Sequence, residues 1–509
     1  AGEDVEEDLP VEADLDQEEQ EKQPMTGAGD GAVEAPSAAS EAEKNGCVKL
    51  KIPEEAEDVQ FNGLNKEELL RVAGTPGWVR TRWALLLLFW LGWLAMLLGA
   101  VLIILQAPRC RDLPATSWWN HGPLYQIADV RAFTDARNLK GVEHKLGSLS
   151  QLKVKALLIG PIHVAPADDP VSLGFEDVSP EVGNLEQFKG LVQAAHKQDI
   201  SLVLDLTPNY QGSSGPWFSN ISVTSVAERL KSALVFWLDQ GVDGVQLSGV
   251  EQVASLVPSL WTDIRAIVQN GTDERPNKRS EILIGVTERT SAEGVSGLLA
   301  STGVDLLISR VLRPGSMDAT ERAQSVQLLY SSHSQSNLAW SLGGHLASMV
   351  GPVLVRLYQL LLLTLPGTPV ISYGDEIGLM DEGTKFPRML WDSDDELNGT
   401  LAERLSTRSF FRSLSELRGK ERPLLFGDFF LLSNSSSSLA YLRIWDQSVR
   451  YIAAFNWAED AAVLQLSGAA LPRYAAVVLS TNSSALPADS SVDLTDLRLL
   501  LLKFPSVSQ

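Results

Sequence analysis

Apolar residues are most concentrated between Ala84 and Leu105, a run of 22 residues without a charged side chain. At about 1.5 Å per residue, a helix of this length crosses a bilayer core of roughly 30 Å. A cleaved signal peptide is the alternative, but its apolar region is only about 7–15 residues long and lies at the start of the chain. We therefore predict one transmembrane helix, which with its flanks covers residues 80–106.

C-terminal to this run, short apolar segments alternate with longer amphipathic ones. Repeated alternation of strand and helix is typical of an α/β fold, here a (β/α)₈ TIM-type barrel over residues 120–421, preceded by a juxtamembrane linker at 107–119. The eight predicted strands are LYQI near 124, KALLIG near 155, SLVLDL from 201, GVQL near 244, EILIGV from 281, DLLISR from 305, NLAW from 337 and PVISYG from 369.

Beyond about Arg422 the pattern changes to alternating strands separated by polar breaks. It predicts a separate C-terminal antiparallel β-sandwich over residues 422–509. The predicted strands are GDFFLLS, SLAYLRIW, RYIAAFNW, AAVLQLS, YAAVVLS and LRLLLLKF.

The net charge of -22 is concentrated in residues 1–79, which hold 21 Asp or Glu against 6 Lys or Arg. This acidic segment has few aromatic residues, so it cannot bury enough apolar surface to fold, and we predict a mostly disordered tail. Asn65 and Gly74 bracket one short predicted helix. Such a tail argues against nucleic acid as a partner, because phosphate binding needs clustered Lys and Arg. The alternative is that the tail is an acidic docking arm for a specific partner.

The orientation of the predicted span is not decided by the arginines on its two sides. All five Asn-x-Ser/Thr sequons lie C-terminal to it, which favours a cytosolic N-terminus and an extracellular C-terminal part, as in a single-pass type II protein of the plasma membrane. The predicted N-glycosylation sites are Asn220, Asn270, Asn398, Asn434 and Asn482.

The chain has two cysteines, Cys47 in the acidic tail and Cys110 just beyond the span. With the membrane between them they cannot pair within one chain. A single cysteine in an oxidising compartment suggests an intermolecular disulfide, so we predict an interchain bond at Cys110. An inert buried thiol is the alternative, and we assign Cys47 no role.

Three stretches resemble the α-amylase superfamily of glycoside hydrolases. They are YQIADVRAFTDARNLKGVEHKLGSLSQLKVKALLIGPIH, LVLDLTPNY and LLLTLPGTPVISYGDEIGL followed by FPRMLWD. Combined with an acidic tail, one span and a juxtamembrane cysteine, this barrel is similar to the heavy chains of heteromeric amino-acid transporters. The resemblance implies a disulfide-linked polytopic light chain as partner, and contact with integrin β subunits through the cytosolic or membrane segment.

The catalytic pattern of the superfamily is broken at the end of the fourth barrel strand. Where that pattern reads Gly-Phe-Arg-x-Asp, this chain has Gln246 in place of the arginine and Ser248 in place of the nucleophilic aspartate. Serine without a positioned base does not replace a carboxylate in forming a glycosyl-enzyme. On the fifth strand, Glu288 is the candidate for the acid/base position, although a shift in spacing would place Val286 there.

The other strand ends depart from the pattern as well. Leu346 follows His345 where the superfamily has an aspartate, and Tyr210 stands where it has a substrate-binding histidine, although Asp205 is retained. The long insertion after the third strand, which walls the sugar cleft, is missing. A retaining glycosidase needs two carboxyl groups about 5–5.5 Å apart, so the sequence predicts a barrel without hydrolase activity and with no catalytic residues.

The favoured function is a non-catalytic membrane subunit that holds an amino-acid exchanger and carries it to the cell surface. One helix without charged residues cannot form a solute pathway, so transport itself belongs to the partner. The alternatives are a membrane-anchored glycoside hydrolase or a carbohydrate-binding relic, and an adhesion or scaffold protein with another partner. We predict no cofactor and no bound metal.

Overall fold

The computed structural model describes residues 65–107, 110–218, 221–270, 280–315, 318–381, 383–392, 400–458, 464, 466, 471–481, 487–494 and, for the backbone alone, 501–504. The predictions for residues 1–64, for Cys47 and for Asn220, Asn398 and Asn482 lie outside the described residues. The chain divides into two units, an N-terminal unit up to Ala107 and a C-terminal unit from Pro108.

Two helices form the described part of the N-terminal unit, α1 (Lys66–Ala73) and α2 (Pro76–Gln106). Asn65 caps α1 and Gly74 ends it, as predicted. Helix α2 has 31 residues and a mean hydropathy of 2.5 over its most apolar window, which is long and apolar enough to cross a membrane. It begins at Pro76, four residues before the predicted span with its flanks, because proline is favoured at the first position of a helix and arginine is a good helix former.

Eight parallel strands close into a barrel in the order β1-β10-β9-β8-β7-β6-β5-β2. All eight predicted strands are present, so the predicted α/β barrel is confirmed. The strands up to the end of the barrel are β1 (Leu124–Ile127), β2 (Ala156–Ile159), the antiparallel ribbon β3 (His163–Val164) and β4 (Gly174–Val178), then β5 (Ser201–Asp205), β6 (Gly244–Ser248), β7 (Ile282–Val286), β8 (Leu306–Ser309), β9 (Leu338–Trp340) and β10 (Thr368–Ser372).

Helices surround the barrel, and several are capped by asparagine, serine or aspartate side chains. They are α3 (Val130–Phe133), α4 (Leu139–Gln151), α5 (Leu185–Lys197), α6 (Val223–Asp239), α7 (Val250–Leu256), α8 (Pro258–Gln269), α9 (Ala292–Thr302), α10 (Ala319–Ser332), α11 (Leu346–Val350), α12 (Val355–Thr364), α13 (Thr400–Lys420) and α14 (Arg422–Phe426).

Trp119 joins the apolar cluster inside the barrel, together with residues such as Leu124 and Ile282 at the starts of their strands. It belongs to a short 3₁₀ turn, Trp118–Asn120, in which the Trp118 indole N–H donates to the carbonyl of Ser280 at 2.8 Å. The predicted linker at 107–119 therefore ends inside the barrel. The strand pattern alone could not show this, because a Trp pair in a linker carries no periodicity.

The C-terminal strands pair antiparallel in the order β11-β12-β13-β16-β14-β15. They are β11 (Asp428–Asn434), β12 (Ser438–Ile444), β13 (Arg450–Asn456), β14 (Tyr474–Leu479), β15 (Ser491–Asp493) and β16 (Leu501–Phe504). The predicted antiparallel region is confirmed, and the described strands form one sheet. AAVLQLS lies mostly outside the described residues.

The middle of this sheet is covered on both faces. Leu439 and Tyr441 of β12 belong to the cluster that also contains the barrel helices, whereas Ala440 and Leu442 belong to a second cluster with β14. Helices of the barrel thus supply the layer that a second sheet supplies in a sandwich.

The buried C-terminal end of α12 is held by two arginines. Arg418 of α13 donates to the carbonyls of Leu363 (2.7 Å) and Leu365 (3.0 Å), and Arg443 of β12 donates to that of Thr364 (2.6 Å). The last carbonyls of a helix have no partner within the helix, and its C-terminal end carries partial negative charge. The two cations therefore join α12, α13 and the sheet at one point.

Candidate functional site

Gln246 and Asp205 lie side by side at the carboxyl ends of β6 and β5. The Gln246 amide donates to one carboxylate oxygen of Asp205 at 2.7 Å, and the N–H of Thr207 donates to the other at 2.8 Å. Burial raises the pKa of Asp205, and these hydrogen bonds only partly oppose it. Gln246 is a neutral donor at the position where the α-amylase pattern has an arginine. Gln246 therefore binds the Asp205 carboxylate without neutralising its negative charge.

Ser248 is held by its backbone at the end of β6. Its N–H donates to the Thr207 hydroxyl at 3.0 Å, and its carbonyl accepts from the Trp217 indole at 2.9 Å. Trp217 is buried, so the loop after β5 packs directly on the end of β6. Among the residues that the structure describes, no base is hydrogen-bonded to the Ser248 hydroxyl.

Glu288 lies two residues beyond β7 and forms ion pairs with two arginines that follow β8. Its carboxylate oxygens lie 3.2 Å from Arg310 Nε and 2.8 Å from a terminal nitrogen of Arg313. The register of β6 and β7 places Val286, not Glu288, beside Ser248. Burial raises the pKa of Glu288, but the two arginines outweigh it and hold the pKa below its ordinary value. A carboxylate held ionised by two cations is a poor general acid.

Glu288→Gln is expected to lower the free energy of unfolding by less than about 1 kcal/mol at neutral pH, because the Glu288 side chain is 67% exposed. A carboxyl group whose pKa is lowered by folding stabilises the fold above its unfolded pKa, and this contribution is lost as the pH falls through the folded pKa. Urea unfolding at neutral and at acidic pH should therefore show a gap between native chain and variant that closes on acidification. A gap that widens at low pH would contradict the ion-pair interpretation.

His345 and Leu346 begin α11 at the end of β9. The Nδ1 atom of His345 lies 2.7 Å from a carboxylate oxygen of Asp381, and its ring packs edge-on against Tyr373. Leu346 is 1% exposed, and its N–H donates to the buried Asp375 carboxylate at 2.7 Å. Burial raises the pKa of Asp375 well above its usual range. Leu346 therefore fills space in the core at the position where the superfamily has an aspartate.

Tyr210 connects the loop after β5 to strand β3. Its hydroxyl donates to the backbone carbonyl of His163 at 2.7 Å, and its ring packs edge-on against the His163 ring. In the same loop, the Asn209 side chain donates to Asp168 at 2.9 Å. Tyrosine in place of the expected histidine thus connects the loop after β5 to strand β3.

The predicted strand-end residues are therefore brought to one end of the barrel, and each is engaged in contacts within the chain. Sequence reasoning missed the partners Asp381, Arg310 and Arg313, for which a single sequence contains no signal. Within the described residues, no group of three or more His, Cys, Asp and Glu side chains is placed to hold a metal ion.

Cys110 is a free, exposed cysteine four residues after the last residue of α2. Its neighbour Arg111 is bound to the sheet: the guanidinium lies 2.7 Å from Asp428 and 4.6 Å from the centre of the Trp445 ring, and the backbone N–H donates to Asp446 at 3.3 Å. Cys110 is thus presented at the surface of the C-terminal unit beside a fixed residue.

Two predicted glycosylation sites lie within the described residues. Asn270 is exposed immediately after α8, where a glycan has room. Asn434 is half-buried at the end of β11, where it pairs with Leu439 of β12.

Two family models match the chain. Residues 49–125 match "Solute carrier family 3 member 2 N-terminus", and residues 131–225 match "Alpha amylase, catalytic domain". The amino acid transporter heavy chain SLC3A2 of Oryctolagus cuniculus is 42% identical, with 98% of each chain covered. The amino acid transporter heavy chain SLC3A1 of Homo sapiens is 25% identical, with 83% of this chain and 82% of the relative covered.

Solved structures with the same fold include trehalulose synthase MutB from Pseudomonas mesoacidophila MX-45. It superposes with a TM-score of 0.60 at 16% identity, covering 77% of this chain and 100% of that chain. At this level of sequence identity, the superposition shows that the two chains share the barrel fold and carries no information about activity.

Proposed function

The chain belongs to the family of the amino acid transporter heavy chain SLC3A2, the 4F2 cell-surface antigen heavy chain, and on this premise we propose that it is a non-catalytic subunit of an amino-acid exchanger. It binds a polytopic light chain through a disulfide at Cys110. By binding, it stabilises the light chain and supports its passage to the plasma membrane.

The observation that carries this proposal is the exposed thiol of Cys110, four residues beyond the one described helix that is long and apolar enough to cross a membrane. The sulfur has no partner within the described residues. A cysteine so close to the predicted membrane surface can reach an extracellular loop of a polytopic neighbour. Bond formation requires the two Cα atoms to approach within about 7 Å.

The membrane orientation is part of the proposal. A cytosolic N-terminus places the acidic residues 1–64 inside the cell and the C-terminal unit outside, where Asn270 is accessible for glycosylation. The exterior is also the oxidising side, where a disulfide persists. Contact with integrin β subunits remains an expectation that follows from the family resemblance.

The barrel serves as a scaffold in this proposal. Gln246 neutralises no charge on Asp205, Ser248 has no hydrogen-bonded base among the described residues, and Glu288 is bound to two arginines. The alternative, a membrane-anchored glycoside hydrolase or carbohydrate-binding relic, is favoured only by the common fold.

We expect that the triple change Gln246→Arg, Ser248→Asp and Leu346→Asp does not produce hydrolysis of aryl α-glucosides. The loop after β5 still covers the end of β6, and Leu346→Asp places a carboxylate at a buried site next to Asp375, at a cost of about 3 kcal/mol or more. Release of p-nitrophenol from the aryl glucoside measures the outcome. Turnover by the triple variant that disappears on adding Glu288→Gln would refute the scaffold assignment.

The proposal as a whole is tested on a non-reducing gel of membranes from cells that express the chain. A species of higher mass is expected, which reductant converts to the free chain. Mass spectrometry of that species should identify a polytopic amino-acid exchanger. A high-mass species that contains only this chain, or a chain without transporter helices, would refute the proposal.

A further inference from the structure

His163 lies at the centre of the contact between the β3–β4 ribbon and the loop after β5. It is the first residue of β3, is fully buried and pairs with Val178 of β4. Its imidazole packs against the ring of Phe175 in β4, with ring centres 5.4 Å apart, and edge-on against that of Tyr210, with ring centres 5.1 Å apart. One imidazole thus joins two strands and a loop that are separate along the chain.

This buried ring has no partner that suits its charged form. Among the described residues, neither ring nitrogen forms a hydrogen bond of ordinary geometry, although the Pro208 carbonyl interacts with the ring. A neutral imidazole has one N–H donor, whereas the protonated ring has two donors and a positive charge. Burial of an unpaired charge is strongly unfavourable. The closed contact therefore accommodates His163 in its neutral form.

The ionisable groups on the surrounding segments do not balance a charge on this ring. Tyr210 faces the ring, and burial raises the pKa of its hydroxyl, so the phenol stays neutral. Charged side chains on the neighbouring segments are Asp129, Arg131, Asp168, Asp169, Glu176, Asp177, Glu181, Asp205 and Arg229. None of these contributes to the pKa of His163, which burial lowers to about 4 against a smaller opposing effect of the Pro208 carbonyl.

Acid therefore favours opening of this contact. When the pH falls below the ordinary imidazole value of about 6.5, a ring exposed to water takes up a proton, whereas the buried ring of His163 stays neutral until about pH 4. A base whose pKa is lowered by folding stabilises the closed state fully above the ordinary value, and this contribution is lost as the pH falls towards the lowered one. From about pH 7.5 to about pH 5.5, the equilibrium shifts about tenfold towards the open contact.

Two other contacts hold the ribbon while this one opens. Asp168, between β3 and β4, accepts hydrogen bonds from the Asn209 side chain at 2.9 Å and from the Ser214 N–H at 2.6 Å. These hydrogen bonds lower the pKa of Asp168, so acid of about pH 5.5 does not release it. The Trp237 indole of α6 donates to the carbonyl of Phe175 at 2.8 Å and fixes β4. Opening is thus confined to the β3 side of the ribbon.

We propose that His163 is an acid-sensitive latch, which holds the loop after β5 on strand β3 while its ring is neutral and releases Tyr210 when the ring is protonated. On release, the Tyr210 hydroxyl and the His163 carbonyl exchange their mutual hydrogen bond for bonds to water. The setting rests on the orientation proposed above: the C-terminal unit meets neutral medium at the cell surface and acidic medium after uptake into endosomes.

The test is amide hydrogen exchange of the purified full-length chain in detergent, at about pH 7.5 and about pH 5.5, followed by mass spectrometry. After correction for the intrinsic pH dependence of amide exchange, protection of peptides that cover β3 and Tyr210 should fall about tenfold at the lower pH. Exchange of the imidazole C2 hydrogen reports protonation of the ring directly. It should show no titration of His163 above about pH 5.

The variants separate the ring's charge from its packing. His163→Phe keeps an aromatic ring between Phe175 and Tyr210 but cannot be protonated, so protection should fall less than about twofold between the two pH values. His163→Gln is a smaller neutral replacement with the same expected result, and it covers the case in which phenylalanine does not fit. The control is His144→Gln, which removes an exposed histidine of α4 and should keep the tenfold fall.

Equal protection of the native chain at the two pH values, a tenfold fall in the His163 variants, or titration of the His163 ring near pH 6.5 would overturn the assignment. Because the experiment uses the chain without a partner and does not involve Cys110, its failure is distinguishable from failure of the disulfide-linked subunit proposal.

Discussion

Arg443→Met is expected to lower the free energy of unfolding of the C-terminal unit by about 3 kcal/mol. The Arg443 side chain is fully buried and donates to the carbonyls of Thr364 at 2.6 Å and of Gly427 at 3.1 Å. Methionine fills similar volume but leaves both buried carbonyls without a donor, and each such loss costs about 1–3 kcal/mol. Thermal or urea unfolding followed by tryptophan fluorescence measures the change.

Two further variants decide whether hydrogen bonding is the cause. Arg443→Lys keeps the charge but cannot span both carbonyls, so its stability should fall between native and Arg443→Met. Arg473→Met is the matched control, because this arginine is 70% exposed and forms a surface ion pair with Asp493; its effect should stay below about 1 kcal/mol. Equal losses for Arg443→Met and Arg473→Met would refute the role assigned to the buried arginine.

Among the described residues no carboxylate forms a close ion pair with Arg443, and the attraction of Asp428 only partly offsets the effect of burial. Burial lowers the pKa of Arg443 to about 10, and burial followed by repulsion from Arg443 lowers that of Arg418 to about 9. Both side chains stay protonated at neutral pH. The negative end of α12 supplies the compensating field, so the pair stabilises the junction of barrel and sheet through main-chain oxygens.

The barrel could be predicted from the sequence because each parallel strand is buried on both faces and therefore stands out as a continuous apolar run between amphipathic helices. The start of α2 at Pro76 could not be read from the apolar run, because a helix can continue through polar residues beyond the run's end. The two-sided burial of β12 was missed because the layer that covers one face comes from barrel helices, which no local pattern in SLAYLRIW can show.

From the sequence, the positions of the candidate site residues could be predicted only where they lie at or near the end of a recognisable strand. Gln246 and Ser248 could be located because they lie on a recognisable strand, and Leu346 because it begins the helix six residues after one. Their contacts could not, because the partners of Glu288 lie 22 and 25 residues along the chain, and those of Arg111 lie 335 and 317 residues away. A single sequence likewise does not distinguish buried Arg418 from an exposed arginine on the same helix.

The contacts of Arg111 bear directly on the proposed disulfide at Cys110. If Asp428, Asp446 and Trp445 hold Arg111 in place, the Cys110 backbone is restricted to a small region, which reduces the entropy lost when the bond forms. Asp428→Asn should therefore slow the appearance of the disulfide-linked species in a pulse-chase experiment without abolishing it. A rate identical to that of the native chain would show that this contact does not position Cys110.

Cys110→Ser is expected to remove the disulfide-linked high-mass species completely from a non-reducing gel, because serine cannot form the bond and Cys110 is the only cysteine C-terminal to α2. Part of the complex should still be recovered in mild detergent, since α2, spanning the membrane as proposed, can pack against partner helices through Gly92 and Gly99. Amino-acid exchange at the cell surface should accordingly be reduced and not abolished. Cys47→Ser is the matched control and should change neither the gel nor the exchange rate. If the high-mass band survived Cys110→Ser, the covalent link would have to lie elsewhere and the assignment of Cys110 would be wrong.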